Sequence, residues 1–204
     1  KPYVDAVGNT AGQRGALRDG DDRGGAEGPL DRLARFDALT GLANRAEAFG
    51  RLESALNNPR DPGPHLGVLF CDVDDFKDVN DTWGHAVGDV VLATLAARVT
   101  ESIRQGDSVG RIGGDEMLVA LPCLHSVDEA VEIAEKIRRR AAEPIEHAGN
   151  TIRVTVSIGA TIAVPDDTVS SITARADAAM YHAKSADRNT VIPIEPTRRS
   201  PAVS

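Results

Sequence analysis

The chain has 204 residues, of which 41% are hydrophobic and 26% charged, which is enough for one domain with a core and some tail. Its formal net charge of -8 opposes binding to nucleic acid, because affinity for a phosphate backbone comes from clustered lysines and arginines. Residues 1–20 lack the apolar core of a secretory signal and no uncharged apolar stretch reaches about 18 residues, so we expect a cytoplasmic protein without a membrane span in this chain.

The two ends of the chain differ in composition from its middle. Residues 1–28 contain seven of the 19 glycines and few large apolar side chains, so they cannot bury enough surface to offset the entropy lost on ordering. We therefore expect a flexible glycine-rich linker or tail over residues 1–28, one domain over residues 29–195 and a C-terminal tail over residues 196–204. We expect either a linker in a longer protein, with a sensor domain or partner upstream, or a tail that a partner orders.

Two helices are predicted before the first strand. Apolar residues recur at helical spacing after Pro29 and predict a short connecting helix, at Leu30, Leu33 and Phe36. Asn44, followed three residues later by Glu47, is typical of a helix N-cap. That second helix is expected to end near residues 57–59, which read Asn-Asn-Pro.

The next predicted elements are a buried strand and a long helix. Leu66 to Val73 is a continuous apolar run typical of a central strand covered on both faces, although a buried helix fits the same run. Apolar residues four apart predict a helix that ends near Arg104, at Val87, Val91, Leu95 and Val99. Cys71 and Cys123 lie in apolar segments without a histidine cluster, and we interpret both as buried structural thiols.

A hairpin and another helix come next. The apolar segments 109–112 and 117–121 flank Gly113 and Gly114, which is a hairpin signature. Helical spacing then returns, at Val127, Ala130, Val131, Ala134 and Ile137.

The remaining elements complete a sheet with helices. Strict alternation of apolar residues from Ile152 to Val164 predicts one half-buried strand. A helix over residues 172–184 and a strand over residues 190–194 follow. Because hairpin pairing is mixed with helical crossovers, the order predicts an α/β fold of the α+β type, with a single mixed sheet flanked by helices.

Carboxylates and glycines mark two of these strand ends. Asp72 stands at the carboxyl end of the first predicted strand, and Asp115 stands in the hairpin turn after Gly113 and Gly114. If the two strands are neighbours, the carboxylates converge and could bind Mg²⁺, which usually takes one or two carboxylates together with substrate phosphates. The glycines would let backbone and ligand approach closely.

Each segment alone has a plainer explanation. An acidic Gly-Gly turn is a common solvated hairpin, and an acidic strand end often caps the helix that follows. Both segments occur here in order, together with two further motifs, and this combination favours a functional site.

Four segments of the sequence resemble the GGDEF family of diguanylate cyclases, over residues 30–194. They are Asp37 to Arg45; Asp72 through Asn80 and Asp81 to Asp89; Arg111 to Met117; and Ser157 to Gly159 followed by Ala179 to Lys184. The motif reads GGDEM, because Met117 stands where the family usually has Phe. The resemblance implies a palm-like, ferredoxin-like sheet related to nucleotidyl cyclases and polymerases, largely antiparallel, with GTP bound near the hairpin.

The resemblance also implies a metal site and a base site. Asp72, the backbone carbonyl of Val73 and Asp115 match ligands of Mg²⁺, with Mn²⁺ as the alternative ion. Asn80 and Asp89 match residues that hydrogen-bond guanine, and a carboxylate that accepts from guanine N1 and N2 would select against adenine. The position of His85 is beside this base site.

Further matched residues would contact the phosphates of GTP. Gly113 and Gly114 would lie against the nucleotide, and Lys77 would neutralise phosphate charge in the transition state. Lys184 and Arg188 match distal phosphate contacts, although a solvated pair at a helix C-terminus would look the same in isolation.

The implied reaction is attack by the 3'-hydroxyl of one GTP on the α-phosphorus of another, repeated to give cyclic di-GMP and two pyrophosphates. Asp115 or Glu116 would take the proton, directly or through water, and which of the two does so is left open. Each family domain binds one GTP, so the resemblance implies a homodimer in which each copy supplies half of the site.

A second site is predicted from Arg104 and Asp107, which match an Arg-x-x-Asp motif for product inhibition by cyclic di-GMP. Arg can donate two hydrogen bonds to guanine O6 and N7, Asp can accept from the opposite edge, and Arg111 could add a phosphate contact. The plainer alternative is a local ion pair at i, i+3.

Two other functions remain open from the sequence. One is a catalytically silent domain that senses cyclic di-GMP through Arg104 and Asp107, and the other is a regulatory domain that binds GTP without turnover. A second departure from the family pattern, Asp187 where Gly is frequent, would affect the placement of Arg188 if the loop needs positive φ.

Overall fold

A computed structural model of the chain describes residues 33–57 and 65–196. The predictions for residues 1–28 and for the tail beyond Pro196 lie outside these residues, as does the first part of the predicted connecting helix. Residues 33–35 are helical.

Beyond the helical residues 33–35, the described residues form five helices and seven strands. The helices are α1 (Arg45–Leu56), α2 (Phe76–Trp83), α3 (His85–Ser102), α4 (Val127–Ala141) and α5 (Val169–Ser185). The strands are β1 (His65–Val73), β2 (Ser108–Arg111), β3 (Glu116–Leu124), β4 (Ile145–His147), β5 (Asn150–Ile152), β6 (Val156–Ile162) and β7 (Val191–Pro193).

Five of the strands form one sheet in the order β2-β3-β1-β6-β7, and β4 and β5 form a separate hairpin. All neighbours in the large sheet are antiparallel except β6 and β7, which are parallel. The predicted mixed, largely antiparallel sheet is therefore confirmed. The chain order of strands and helices around β2-β3-β1-β6 is the β-α-β-β-α-β arrangement of ferredoxin-like folds.

Both faces of the sheet are covered by helices. Leu69, Cys71 and Val73 of β1 pack into a core with α3 and α4, whereas Val68 and Phe70 pack into a second core with α1 and α5. Successive side chains of a strand point to opposite faces, so Asp72 falls on the face covered by α5. This two-sided burial confirms β1 as a central strand.

The predicted cap of α1 is confirmed, because the Asn44 side chain accepts a hydrogen bond from the Glu47 amide. Met117 is 2% exposed and belongs to the core on the α3 and α4 side, so the unusual residue of the GGDEM motif is a packing residue. Cys71 is buried, which also agrees with prediction, but Cys123 is only half-buried and has a φ of 64° at the end of β3.

The single strand predicted over Ile152 to Val164 is wrong in two respects. The chain leaves extended pairing at residues 153–155, and Ile152 belongs to the β4–β5 hairpin instead. Strand β6 is buried along both faces rather than half-buried, because α4 and α5 cover it from opposite sides. The alternation in the sequence comes from small residues such as Ser157 and Gly159 that face α5, and not from solvent-facing positions.

Helix α2 was not predicted as a helix of its own. It has no buried residue, and it is separated from α3 only by Gly84, whose φ of 82° turns the chain. No helix among the described residues is long and apolar enough to cross a lipid bilayer.

Candidate active site

The ends of β1 and β3 bring three carboxylates together. Asp72 lies opposite Glu116 in the antiparallel register, so the two side chains are on the same face of the sheet. The amide of Val73 donates to the carbonyl oxygen of Asp115 over 3.3 Å, which fixes the turn against the end of β1. The predicted convergence of Asp72 with Asp115 is thus what the strand pairing produces.

Asp72 is the most electrostatically unusual of these acids. It is 6% exposed, and no neutral donor among the described residues hydrogen-bonds to its Oδ1 atom. The ammonium of Lys184 lies 2.5 Å from this oxygen, forms an ion pair with it and acts on the pKa as a hydrogen-bond donor. Burial raises the pKa of Asp72 to about 6, in spite of Lys184 and assisted by the negative charges of Asp115 and Glu116.

The donor set suits a hard divalent cation that is shared with a substrate. No group of three or more carboxylate, imidazole and thiolate side chains is placed to bind a metal in the part of the chain that the structure describes. Two carboxylates, the Val73 carbonyl and substrate phosphates are the kind of ligand set that Mg²⁺ accepts, because this ion is seldom bound in an all-protein cage. The buried Oδ1 of Asp72, which already attracts the ammonium of Lys184, is suited to bind a cation of this kind.

The turn at Gly113 and Gly114 is fixed by Arg111. Its guanidinium donates to the Gly114 carbonyl over 2.7 and 3.1 Å and to both carboxylate oxygens of Asp37 over 3.1 and 3.2 Å. Burial acts to raise the pKa of Asp37, but hydrogen bonds from Thr40 and Arg111 outweigh it, and the pKa lies below its ordinary value. Arg111 therefore connects the segment before α1 to the turn.

The two glycines of the turn have different surroundings. A Cβ at Gly113 would overlap the carboxylate of Glu116, whereas Gly114 is exposed with open space around it. Gly114 is the position that could lie against a ligand without rearrangement.

The predicted base-binding residues lie on α2 and α3. A Cβ at Gly88 would overlap the side-chain amide of Asn80, so glycine lets α3 approach α2 at this point. Asp89 follows directly and is exposed, as is His85 at the start of α3. Among the described residues, the side chains of Asn80, His85 and Asp89 make no hydrogen bond or ion pair. Their polar atoms are available to a ligand.

The predicted phosphate-binding cations differ in their contacts. Lys77 is exposed on α2 and makes no ion pair with any described residue. Lys184 pairs with Asp72, and the Arg188 Nε atom lies 3.4 Å from Asp75 Oδ1. Arg188 has a positive φ of 54°, and Asp187 does not have a positive φ. The substitution of Asp for Gly at position 187 therefore causes no backbone strain, and the residue with the left-handed conformation is Arg188 itself.

Asp74 is a residue of this region that the sequence reasoning did not assign. It is 5% exposed, and its carboxylate accepts hydrogen bonds from Thr155 Oγ1, Ser157 Oγ and the Asn189 amide, at 2.6, 2.7 and 3.0 Å. The only sequence signal was its position two residues after Asp72, which places it on the same face.

Arg104 and Asp107 form the local ion pair that was the plainer alternative. Their Nε and Oδ1 atoms are 3.3 Å apart, and the Asp107 side chain is 1% exposed. The Arg104 guanidinium also donates to the carbonyls of Pro122 and Cys123. Arg111, the third residue predicted for a second site, is bound to Asp37 and Gly114. The three side chains are thus engaged with the protein itself.

An open cleft lies between α1 and the β2–β3 pair, away from Asp72 and Asp115. Its lining includes Arg51, Ser54, Asp107, Ser108 and Pro122. The Arg104–Asp107 turn therefore borders a concave surface.

Comparisons with known proteins agree with this geometry. The sequence pattern of the family described as "Diguanylate cyclase, GGDEF domain" matches residues 34–190. Diguanylate cyclase TpbB of Pseudomonas aeruginosa is 41% identical over 158 residues, which are 76% of this chain and 36% of that protein. The bifunctional diguanylate cyclase/cyclic di-GMP phosphodiesterase MucR of the same species is 38% identical over 161 residues, 78% of this chain and 23% of MucR.

Solved structures share the fold. The GGDEF domain of TpbB superposes with a TM-score of 0.73 at 40% identity, covering 78% of this chain and 93% of that one. The coiled coil and GGDEF domain of DgcB from Caulobacter crescentus, in complex with c-di-GMP, superposes with a TM-score of 0.76 at 29% identity, covering 81% and 88%. The chain spans only about a quarter to a third of the length of the curated relatives above.

Proposed function

Because the chain belongs to the GGDEF family of diguanylate cyclase domains, we propose that it joins two GTP molecules into cyclic di-GMP. The observation that carries the proposal is the pairing of β1 with β3, which brings the buried carboxylate of Asp72 close to the negative charges of Asp115 and Glu116. Neither strand end would form this acidic pair alone.

Each side chain then has a defined task in the reaction. Asp72, the Val73 carbonyl and Asp115 would bind Mg²⁺ or Mn²⁺, and the ion would neutralise phosphate charge and make the attacking hydroxyl more acidic. Asn80 and Asp89 bind the guanine edge, with His85 beside it, since their polar atoms have no partner among the described residues. Such pairing rejects adenine, whose edge presents the opposite donors and acceptors.

The phosphates are bound on the other side of the site. Exposed Gly114 and the turn beside Gly113 lie against the nucleotide, and Lys77, Lys184 and Arg188 contribute positive charge. In each of two steps a 3'-oxygen bonds to an α-phosphorus, the bond to pyrophosphate breaks, and the hydroxyl proton passes to Asp115 or Glu116. Two steps release two pyrophosphates and close the ring.

The reaction requires two copies of the domain. One domain supplies one set of guanine-binding and carboxylate residues and so binds one GTP, whereas the product contains two guanosines. A homodimer with facing sites would present both nucleotides, and an upstream sensor or partner would control its formation. We place the protein in the cytoplasm, where GTP is available.

Incubation of the purified chain with GTP and Mg²⁺ over a range of protein concentrations tests the proposal. Cyclic di-GMP should form with a specific activity that rises with protein concentration, because dimers form the complete site. Asp115→Ala should abolish the product while the melting temperature stays near that of the wild type. Turnover of this variant at the wild-type rate would refute the assignment.

A silent domain that binds cyclic di-GMP or GTP is the second candidate, and the same assay separates the candidates. Binding of GTP without product from a confirmed dimer would establish the silent domain. The enzyme is favoured because the acids at the ends of β1 and β3 occur together with Lys77, Asn80 and Asp89, whose side chains have no partner among the described residues. Binding of guanine alone would not need these acids.

We further propose product inhibition at Arg104, Asp107 and Arg111. The Arg104–Asp107 pair borders a concave surface, and cyclic di-GMP would replace their mutual contact with contacts to a guanine edge. Arg104→Ala should raise the concentration of cyclic di-GMP needed for half inhibition. Equal inhibition of the variant and the wild type would reject this second site.

A further inference from the structure

Asp74 links three separate parts of the active-site region. Its Oδ1 atom accepts from Ser157 on β6, and its Oδ2 atom accepts from Thr155 before β6 and from the amide of Asn189. The Asp74 amide in turn donates to the Thr155 carbonyl over 2.9 Å. The carboxylate thus joins the end of β1 to the loop between α5 and β7.

That loop has an unfavourable backbone conformation. Arg188 and Asn189 both have positive φ, at 54° and 44°, which Asn tolerates but which is uncommon for a long side chain such as Arg. Two contacts stabilise it: the Asn189 amide donates to Asp74, and Arg138 Nη1 donates to Asn189 Oδ1 over 2.8 Å. An unfavourable conformation persists only where surrounding contacts stabilise it. The hydrogen bond from Asn189 to Asp74 therefore helps to fix the position of the neighbouring Arg188.

Arg188 is placed at the mouth of the site by this loop. It precedes Asn189 directly, and its guanidinium reaches Asp75 on the chain segment that follows β1. Lys184, in the last turn of α5, reaches Asp72 at the end of β1. The loop therefore carries one cation and adjoins the second.

We propose that Asp74 is a positioning residue for triphosphate binding, which acts by fixing the α5–β7 loop so that Arg188 lies at the phosphate end of the site. The inference rests on the proposed function, since it takes GTP as the ligand. It assigns to Asp74 no contact with substrate or metal, because both of its oxygens are used by protein donors. The consequence is that the loss of Asp74 weakens the phosphate contacts and leaves the guanine contacts intact.

The test measures binding of two ligands by calorimetry. 3'-Deoxy-GTP lacks the attacking hydroxyl and binds without reacting, and guanosine has no phosphates. Asp74→Ala should weaken 3'-deoxy-GTP about tenfold, the effect of one charge-assisted contact, with guanosine affinity unchanged. Asp74→Asn should restore binding, because its amide oxygen can accept from Asn189 while its nitrogen donates to Ser157.

Ser157→Ala is the matched control, because it removes a donor to Asp74 on the β6 side and leaves the loop contact in place. Its affinity for 3'-deoxy-GTP should equal that of the wild type. If Asp74→Ala does not fold, Asp74→Ser carries the same expectation, since its short hydroxyl cannot reach the Asn189 amide. Equal weakening by Ser157→Ala and the Asp74 variant would show a structural effect and overturn the inference.

A double-mutant cycle with Arg188→Met decides whether Asp74 acts through Arg188. The double variant should bind 3'-deoxy-GTP no more weakly than Arg188→Met alone, whereas independent effects would add. Additive losses would overturn the inference. The proposed function fails separately, if the wild-type chain binds neither 3'-deoxy-GTP nor guanosine.

Discussion

The ammonium of Lys184 lies 2.5 Å from the buried Oδ1 atom of Asp72. Lys184 comes from the last turn of α5, so a helix packed on the sheet supplies a positive charge to the end of β1. A metal ion bound by the Asp72 carboxylate would lie close to the ammonium, and the two positive charges would repel each other. Metal binding to Asp72 therefore competes with Lys184, and nucleotide phosphates would attract the ammonium.

We predict that Lys184→Met raises the affinity of the nucleotide-free protein for Mn²⁺ about tenfold, because the competing positive charge is gone. The same variant should bind GTP more weakly, since a phosphate contact is lost. Mn²⁺ binding is measured by electron paramagnetic resonance of the free ion. Lys77→Met is the control and should leave nucleotide-free Mn²⁺ affinity unchanged, because Lys77 makes no ion pair with any described residue. Unchanged Mn²⁺ affinity of Lys184→Met would show that the ion pair does not compete with metal.

A second prediction concerns the Arg111 tether. Arg111→Lys keeps the charge but loses the planar fork that reaches Asp37 and the Gly114 carbonyl together. The turn should open more often, and hydrogen exchange of the Ile112 amide, which bonds to the Glu116 carbonyl, should become about tenfold faster. Lys136→Arg, distant in sequence and bonded to Ser102, should not change this rate. Equal exchange rates in Arg111→Lys and the wild type would contradict the prediction.

The sequence was sufficient to predict the order of the sheet elements and the place of the acids. A continuous apolar run located β1, and helical patterns located α3, α4 and α5, because their packing faces are long and regular. The short elements were not predicted. The β4–β5 hairpin turns at Ala148 and Gly149, and the sequence does not show that the non-glycine residue Ala148 adopts a positive φ there. Helix α2 has only eight residues, and its apolar residues Phe76 and Val79 are only partly buried against the core, so the apolar repeat is too short to define a helix.

The contacts within the site could not be predicted, because they depend on three-dimensional partners. The sequence does not show that Lys184 forms an ion pair with Asp72. Nor does it show that Asp74 accepts hydrogen bonds from three residues more than 80 positions away. The Arg104–Asp107 contact is the opposite case. Its i, i+3 spacing already indicated an ion pair, and the structure has one.

A third prediction is a pH-dependent contribution from Glu47. Hydrogen bonds from Arg35 and Arg51 lower the pKa of Glu47 from 4.5 to about 2. Because the pKa falls on folding, this contribution is fully present above pH 4.5 and is lost as the pH falls towards 2. Glu47→Gln should lower the free energy of unfolding by about 1 kcal/mol at neutral pH, with the difference from wild type shrinking in acid.

Urea unfolding of both proteins across this pH range measures the difference. Glu53→Gln on the same helix is the control, since the Glu53 side chain is exposed and has no ion pair among the described residues. It should change the stability by less than about 0.5 kcal/mol at every pH. If Glu47→Gln lowered the free energy of unfolding by the same amount at every pH, the stabilisation would not come from the charge of Glu47.

The last prediction uses two glycines with opposite surroundings. A Cβ at Gly159 on β6 would overlap the carbonyl oxygen of Ala176 and the amide nitrogen of Met180, so α5 can lie against the strand only while this residue is glycine. Gly159→Ala should destabilise the fold by about 3 kcal/mol, because backbone cannot move aside as a side chain can.

Gly50→Ala in α1, with open space around it, should instead stabilise by about 0.5 to 1 kcal/mol through helix propensity. Urea unfolding of the two variants separates steric overlap from a general effect of added methyl groups. If Gly159→Ala and Gly50→Ala changed the stability by similar amounts, α5 would not pack closely enough on β6 to exclude a methyl group at position 159.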